Sequence, residues 1–127
     1  MGRILIVDDC LEQCIPLLRL MHQTGHAAAC VSTGETALGM VRITKPDLVL
    51  LDAMMPDMDG TQVLREIRSD PRTADLPVIM YTSLSDPAFT DHVMGLGAND
   101  YWVKATLGYD EMEERFTRLL PAEAMVF

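Results

Sequence analysis

Asp47-Leu48-Val49-Leu50-Leu51-Asp52 is a run of four aliphatic residues with a carboxylate at either end. Four residues are too few for a stable helix, and no polar residue interrupts them, so the run reads as a strand covered on both faces. Ile4-Leu5-Ile6-Val7, running into Asp8-Asp9, has the same pattern, as does Val78-Ile79-Met80-Tyr81, running into Thr82-Ser83. Strands of this kind belong to parallel sheets with helices on both sides. Ala27–Val31 is weaker and alanine-rich, as suits an edge strand, and Tyr101–Val103 supplies a fifth.

The segments between these runs have helical spacing. Leu11–Gln23 repeats Leu, Ile and Met one turn apart and ends at Thr24-Gly25. Pro16 falls inside it, where the missing N–H should bend the helix unless it lies in the first turn. Glu35–Ile43 stops before Lys45-Pro46, and Thr61–Arg68 follows Asp59-Gly60, with Asp59 as cap. Ser85 is placed to cap a helix with Pro87 in its first turn, closed by Gly95 or Gly97. Tyr109–Leu120 is the last helix, stopped by Pro121. Without linker, repeat or low-complexity tract, the 127 residues read as one domain, 1–127. The predicted fold class is α/β: a doubly wound, five-stranded parallel sheet flanked by five helices.

Composition narrows the function. Ten Lys and Arg against nineteen Asp and Glu leave a net charge of −9, which argues against nucleic-acid and anionic-membrane partners, both polyanions. No stretch approaches the roughly 20 apolar residues of a membrane span, and the apolar run after Met1-Gly2-Arg3 is too short for a signal peptide. A cytoplasmic location is expected. Cys10, Cys14 and Cys30 are odd in number, and Cys10 and Cys14 are one helical turn apart, so three free thiols are expected. A zinc site from Cys10, Cys14, His22 and His26 fits no standard ligand spacing, and none of the three histidines lies near the acidic strand ends.

In such sheets, function collects at the carboxyl ends of the strands. Those ends carry Asp8 and Asp9, Asp52, Thr82, and Lys104. A lone Asp at a strand end is ordinarily a turn former or helix cap. Three carboxylates, a hydroxyl and a lysine from four strands are a different matter. Two carboxylates about 5 Å apart repel by about 3 kcal/mol at an effective dielectric of about 20, so three of them call for a cation. Oxygen-only ligands suit Mg²⁺. With a lysine and a hydroxyl alongside, the set matches the needs of phosphoryl transfer onto a carboxylate.

The ordered motifs Ile4-Leu5-Ile6-Val7-Asp8-Asp9, Asp47–Asp52, Met55-Pro56-Asp57-Met58-Asp59-Gly60, Pro77–Ser83 and Gly97-Ala98-Asn99-Asp100-Tyr101-Trp102-Val103-Lys104 resemble those of response regulator receiver domains. The likeness is to chemotaxis-type single-domain receivers of bacterial two-component systems, with a flavodoxin-like fold, and it runs along essentially the full chain. The resemblance implies that Asp52 is the phosphoacceptor, charged by a histidine kinase or histidine phosphotransfer protein. It implies that Mg²⁺ is held by Asp9, Asp52 and the backbone carbonyl of Met54, with Asp8 on a metal-bound water. Lys104 would pair with the phosphoryl oxygens, Thr82 would move toward them, and Tyr101 would rotate inward behind it. The surface of the fourth helix, fifth strand and fifth helix would then change, for a downstream protein, a fused output domain or a weak dimer to read; a monomer is the other expectation. Met54 and Leu84, two places after Asp52 and Thr82, would line the path of the attacking water and set the phosphate lifetime. Catalysis would be limited to self-phosphorylation and self-dephosphorylation.

One departure from the family pattern is Ala105, where proline usually follows the lysine in a cis peptide. A cis Lys104–Ala105 bond would cost about 2.5–4 kcal/mol. Trp102 reads as core beneath the first and last helices, and Asp86, Asp91 and Glu111–Glu114 as solvated helix faces. The rival classes fit less well. A flavodoxin-like carrier needs a Ser/Thr/Gly-rich phosphate loop where Asp8-Asp9 stand, an aspartyl-nucleophile phosphatase wants Asp-x-Asp there, and a pseudo-receiver lacks part of the acidic set.

Overall fold

The computed structural model describes residues 2–104 and 106–119. Five strands, β1 (Arg3–Val7), β2 (Ala27–Val31), β3 (Leu48–Leu51), β4 (Val78–Thr82) and β5 (Asp100–Val103), alternate with five helices. These are α1 (Leu11–Gln23), α2 (Gly34–Thr44), α3 (Gly60–Ser69), α4 (Pro87–Gly95) and α5 (Tyr109–Leu119). All pairings are parallel, in the order β2-β1-β3-β4-β5, so β2 is an edge as its composition indicated.

Side-chain alternation along the strands divides the core into two layers. Leu5, Val7, Val49, Leu51, Val78 and Met80 face α2, α3 and α4, while Ile4, Ile6, Leu48, Leu50 and Ile79 face α1 and α5. Trp102 lies in the second layer, 1% exposed, edge-on to Phe116 of α5 with ring centroids 5.2 Å apart. No helix among the described residues is long and apolar enough to cross a membrane.

Several local expectations need correction. Asp86, not Ser85, caps α4: its carboxylate accepts the Ala88 N–H at 3.1 Å, and Pro87 takes the first helical position. Asp86 is therefore a helix cap as well as an exposed acid. Pro16 is the sixth residue of α1 and faces solvent, and the helix runs on through it to Gln23. The larger correction concerns the cysteines. Cys14, on the buried face of α1, is disulfide-bonded to Cys30 of β2, with Cα atoms 6.5 Å apart, and Cys10 alone is free. Sequence proximity suggests Cys10 as the neighbour of Cys14, but packing of α1 over the edge strand brings Cys30 beneath it at a separation disulfides accept. The Lys104–Ala105 peptide includes a residue outside the described set, and Leu120 and Pro121, where the sequence is read as ending the last helix, also lie outside it.

Candidate phosphoacceptor site

Chain order places β1 between β2 and β3, so the connections leave β1 and β3 in opposite directions and open a crevice above their carboxyl ends. The ladder continues one residue past each strand and fixes what stands there. The Asp8 N–H donates to Val31 O at 3.0 Å, the Asp52 N–H to Val7 O at 2.9 Å, and the Lys104 N–H to Thr82 O at 2.8 Å. Asp8 and Asp52 are buried, at 2% and 7% exposure, whereas Asp9 faces solvent. One oxygen from each of Asp8, Asp9 and Asp52 lies within 4.8 Å of the others, the one such potential ligand group among the described residues. The zinc alternative is absent from it: Cys14 is bonded elsewhere, and buried His26 accepts the Gly2 N–H on Nδ1 at 3.1 Å.

Lys104 reaches into this group from β5. Its Nζ lies 2.7 Å from Asp8 Oδ2 and 3.3 Å from Asp52 Oδ2. Burial alone would push the amine down, but the Asp8 hydrogen bond and the charges of Asp52 and Asp8 outweigh it and hold the ammonium above its ordinary pKa. For Asp52 the balance falls the other way. Burial pushes its carboxyl up, reinforced by the charge of Asp8, and neither Lys104 nor the Met54 N–H, 3.3 Å from Oδ1, fully offsets it. The same carboxyl is thus partly desolvated and close to the one ammonium of the crevice, a suitable setting for a nucleophile.

Thr82 is fully buried, and its Oγ1 accepts the Leu84 N–H at 3.4 Å. The Leu84 carbonyl in turn accepts the Tyr101 hydroxyl at 2.8 Å. Tyr101 is half-buried and packs edge-on against Phe89 of α4. One residue's backbone therefore links the strand-end hydroxyl to the edge-strand tyrosine. The Leu84 side chain packs against the layer beneath α2, α3 and α4, while Met54 stands 61% exposed beside Asp52.

The loop after β3 is fixed by its acids. Asp59 caps α3 through the Thr61 N–H at 2.9 Å, as expected, and Asp57 accepts the Gly34 and Glu35 N–H groups at the start of α2. Gly60 packs directly on the Asp52–Ala53 backbone: a Cβ there would fall 2.8 Å from Ala53 Cα and closer still to the Asp52 carbonyl oxygen. Gly60→Ala is expected to destabilise the chain by about 2–3 kcal/mol, a fall in Tm of roughly 8–12 °C. Thermal denaturation checks this, and a Tm within about 2 °C of the parent, less than 1 kcal/mol on that scale, would refute the packing described.

Two further side chains join the site without being strand-end residues. Gln13 of α1 accepts a hydrogen bond from the Lys104 ammonium, and the Tyr81 ring lies 5.5 Å from the same nitrogen. Gln13 reads as a solvated helix position until α1 is seen to begin beside the crevice. Tyr81 was traceable in principle, since it shares a sheet face with Trp102 and Lys104 through the β4–β5 register.

Comparison with known proteins agrees with this geometry. The family model described as response regulator receiver domain matches residues 4–116. Protein PilH of Pseudomonas aeruginosa is 37% identical over 106 residues, 82% of this chain and 86% of that protein. The probable transcriptional regulator ycf27 of Cyanophora paradoxa is 38% identical over 120 residues, 93% of this chain but 48% of its own length, so the chain spans about half of that relative. Among solved structures, the signal receiver domain of a signal transduction histidine kinase from Syntrophus aciditrophicus is 33% identical, with a TM-score of 0.86 over 94% of this chain and 90% of that one. The chain belongs to the response regulator receiver domain family, the phosphoacceptor domains of two-component signalling.

Proposed function

We propose that Asp52 is the residue that takes the phosphoryl group, from the phosphohistidine of a histidine kinase or phosphotransfer protein. The carrying observation is the convergence of Asp8, Asp9, Asp52 and Lys104 on one crevice at the switch point of the sheet. An Asp52 oxygen bonds to phosphorus as the phosphorus–nitrogen bond breaks, and the imidazole leaves with its electron pair and takes a proton from water. Lys104, already charged and within reach of Asp52, pairs with a phosphoryl oxygen. The Thr82 hydroxyl, which now accepts from Leu84, has its own hydrogen to donate to another.

The donor set is all oxygen, three carboxylates against one ammonium, and it fits Mg²⁺. Asp9, Asp52 and the Met54 carbonyl are the direct ligands in this reading, and Asp8 acts through a bound water. When bound, the ion offsets the charge that gathers between carboxylates and phosphoryl group. Millimolar Mg²⁺ is expected to raise the Tm of the unphosphorylated chain, by roughly 4–6 °C at ten times its Kd, or about 1.4 kcal/mol. Asp9→Ala should lose most of that gain. An equal response in variant and parent would remove the ion from this site.

A donor histidine can reach Asp52 only if the donor protein covers the rim of the crevice. Leu11, Ile15 and Met54 are exposed along α1 and the loop after β3, which supports an apolar rim for that encounter. In our reading the signal then leaves through α4, β5 and α5. Movement of Thr82 toward the phosphoryl group shifts the Leu84 peptide, and with it the bond that holds Tyr101. A downstream protein, a fused output domain or a second copy reads that surface. In our reading the compartment is the cytoplasm, a reducing setting in which the Cys14–Cys30 disulfide is an exception. The direct test is incubation with acetyl phosphate. One phosphoryl group should be gained, with Mg²⁺ required, and no gain would overturn the reading.

A further inference from the structure

The Lys104 ammonium has three N–H bonds and three oxygen acceptors. Two are the carboxylates of Asp8 and Asp52, and the third is the side-chain oxygen of Gln13. A lysine head on its four-carbon stem has much rotamer freedom to lose, so its resting place depends on directional contacts. The backbone of Lys104 is fixed by its bond to Thr82 O, and the ammonium stands 5.5 Å from the Tyr81 ring centroid. These set the line of approach, while the acceptors set where the ammonium stops.

The kind of acceptor at position 13 matters. Another carboxylate would add a fourth anion to a crevice that has to admit a phosphoryl group, whereas an amide oxygen accepts the same hydrogen bond with no net charge. A neutral acceptor also competes weakly with an anionic phosphoryl oxygen. Lys104 is thereby free to exchange a carboxylate for the phosphoryl group while it stays bound to Gln13. We propose that Gln13 is a positioning residue for phosphoryl transfer: its amide oxygen fixes the Lys104 ammonium over the Asp8–Asp52 pair, where the phosphoryl oxygens meet it. This rests on the reading of Asp52 and Lys104 given above.

The chain has two lysines, and the other, Lys45, is exposed and serves as an internal standard. Brief treatment with an amine-acylating reagent, read by peptide mass spectrometry, gives the ratio of Lys104 to Lys45 labelling. Gln13→Met keeps side-chain length and helix propensity but removes the oxygen. The ratio is expected to rise about fivefold, the scale of one lost hydrogen bond, and the rate of phosphorylation by acetyl phosphate at saturating Mg²⁺ to fall by about as much. Gln13→Glu should bring the labelling ratio back to the parent value or below it, yet leave phosphorylation slow because of its added charge. A merely structural role for the helix position would not produce that split. An unchanged ratio in Gln13→Met, a raised ratio with an unchanged rate, or a ratio that Gln13→Glu does not restore would each overturn the proposal. Asp52→Asn, run alongside, separates the two levels. If it is phosphorylated like the parent, the reading of Asp52 fails; if it is inert while Gln13→Met behaves as the parent, only the role of Gln13 is lost.

Discussion

Asp52→Asn is expected to abolish phosphorylation by acetyl phosphate or by a phosphohistidine donor, while the fold survives. The amide offers no anionic oxygen to attack phosphorus, so the covalent product cannot form. Asp8 cannot substitute, because it is 2% exposed and its Oδ2 is held by Lys104 at 2.7 Å. Asp9 faces solvent, whereas the Lys104 ammonium that would meet the phosphoryl oxygens is paired with Asp8 and Asp52. Loss of activity through unfolding is distinguishable from loss of the nucleophile. The replacement removes one of three mutually repelling carboxylates; its single amide oxygen can accept the Met54 N–H, and Lys104 keeps Asp8 and Gln13 as acceptors. In the presence of a chelator the variant should therefore melt no lower than the parent. The measurement is intact mass before and after the donor, followed by peptide mapping. Stoichiometric labelling of the Asn variant at another residue would show that the chemistry sits elsewhere.

The strand-end residues were legible because a parallel sheet buries its strands on both faces. An uninterrupted aliphatic run followed by an acid, a hydroxyl or a lysine marks both the strand and its functional end, which is how Asp8, Asp52, Thr82 and Lys104 could be read. The two core layers follow from the same runs, since alternate side chains must take opposite faces. Features that depend on how a helix docks were not legible. Cys14 and Cys30 are sixteen residues apart and meet only because α1 crosses the edge strand. Asp57 caps α2 from a loop twenty-three residues further along the chain, a contact no local pattern encodes. Gln13 is an exposed helical residue by every sequence measure, and it matters only because Lys104 stretches across the crevice toward α1. Helix caps fall between these cases. Asp59 was identified correctly, but at Ser85-Asp86 two capping residues stand side by side, and the proline that follows decides in favour of Asp86 by taking the first helical position.

Phosphoryl-Asp52 is expected to be long-lived in the purified protein and to be cleared chiefly by an external phosphatase or by back-transfer. Self-dephosphorylation needs a water opposite the aspartyl oxygen, and a nearby acid or amide can hold it there by hydrogen bonding. Met54 and Leu84, which in our reading line that path, have no such group. Their surroundings give them unequal roles. Leu84 packs into the layer beneath α2, α3 and α4, whereas Met54 is 61% exposed and its N–H contacts the Asp52 carboxylate. Met54 is therefore the side chain free to fold over the phosphoryl group and keep water from it. A misplaced nucleophile slows a reaction steeply, since orientation accounts for a large part of such barriers. The double variant Met54→Asn/Leu84→Glu supplies an amide and a carboxylate at the two positions and should lose phosphate about tenfold faster or more. Met54→Asn alone should carry most of that change. The comparison is phosphate release from isolated phosphoprotein in excess Mg²⁺, free of donor. If parent and double variant decay at one rate, water reaches phosphorus by a route these side chains do not guard.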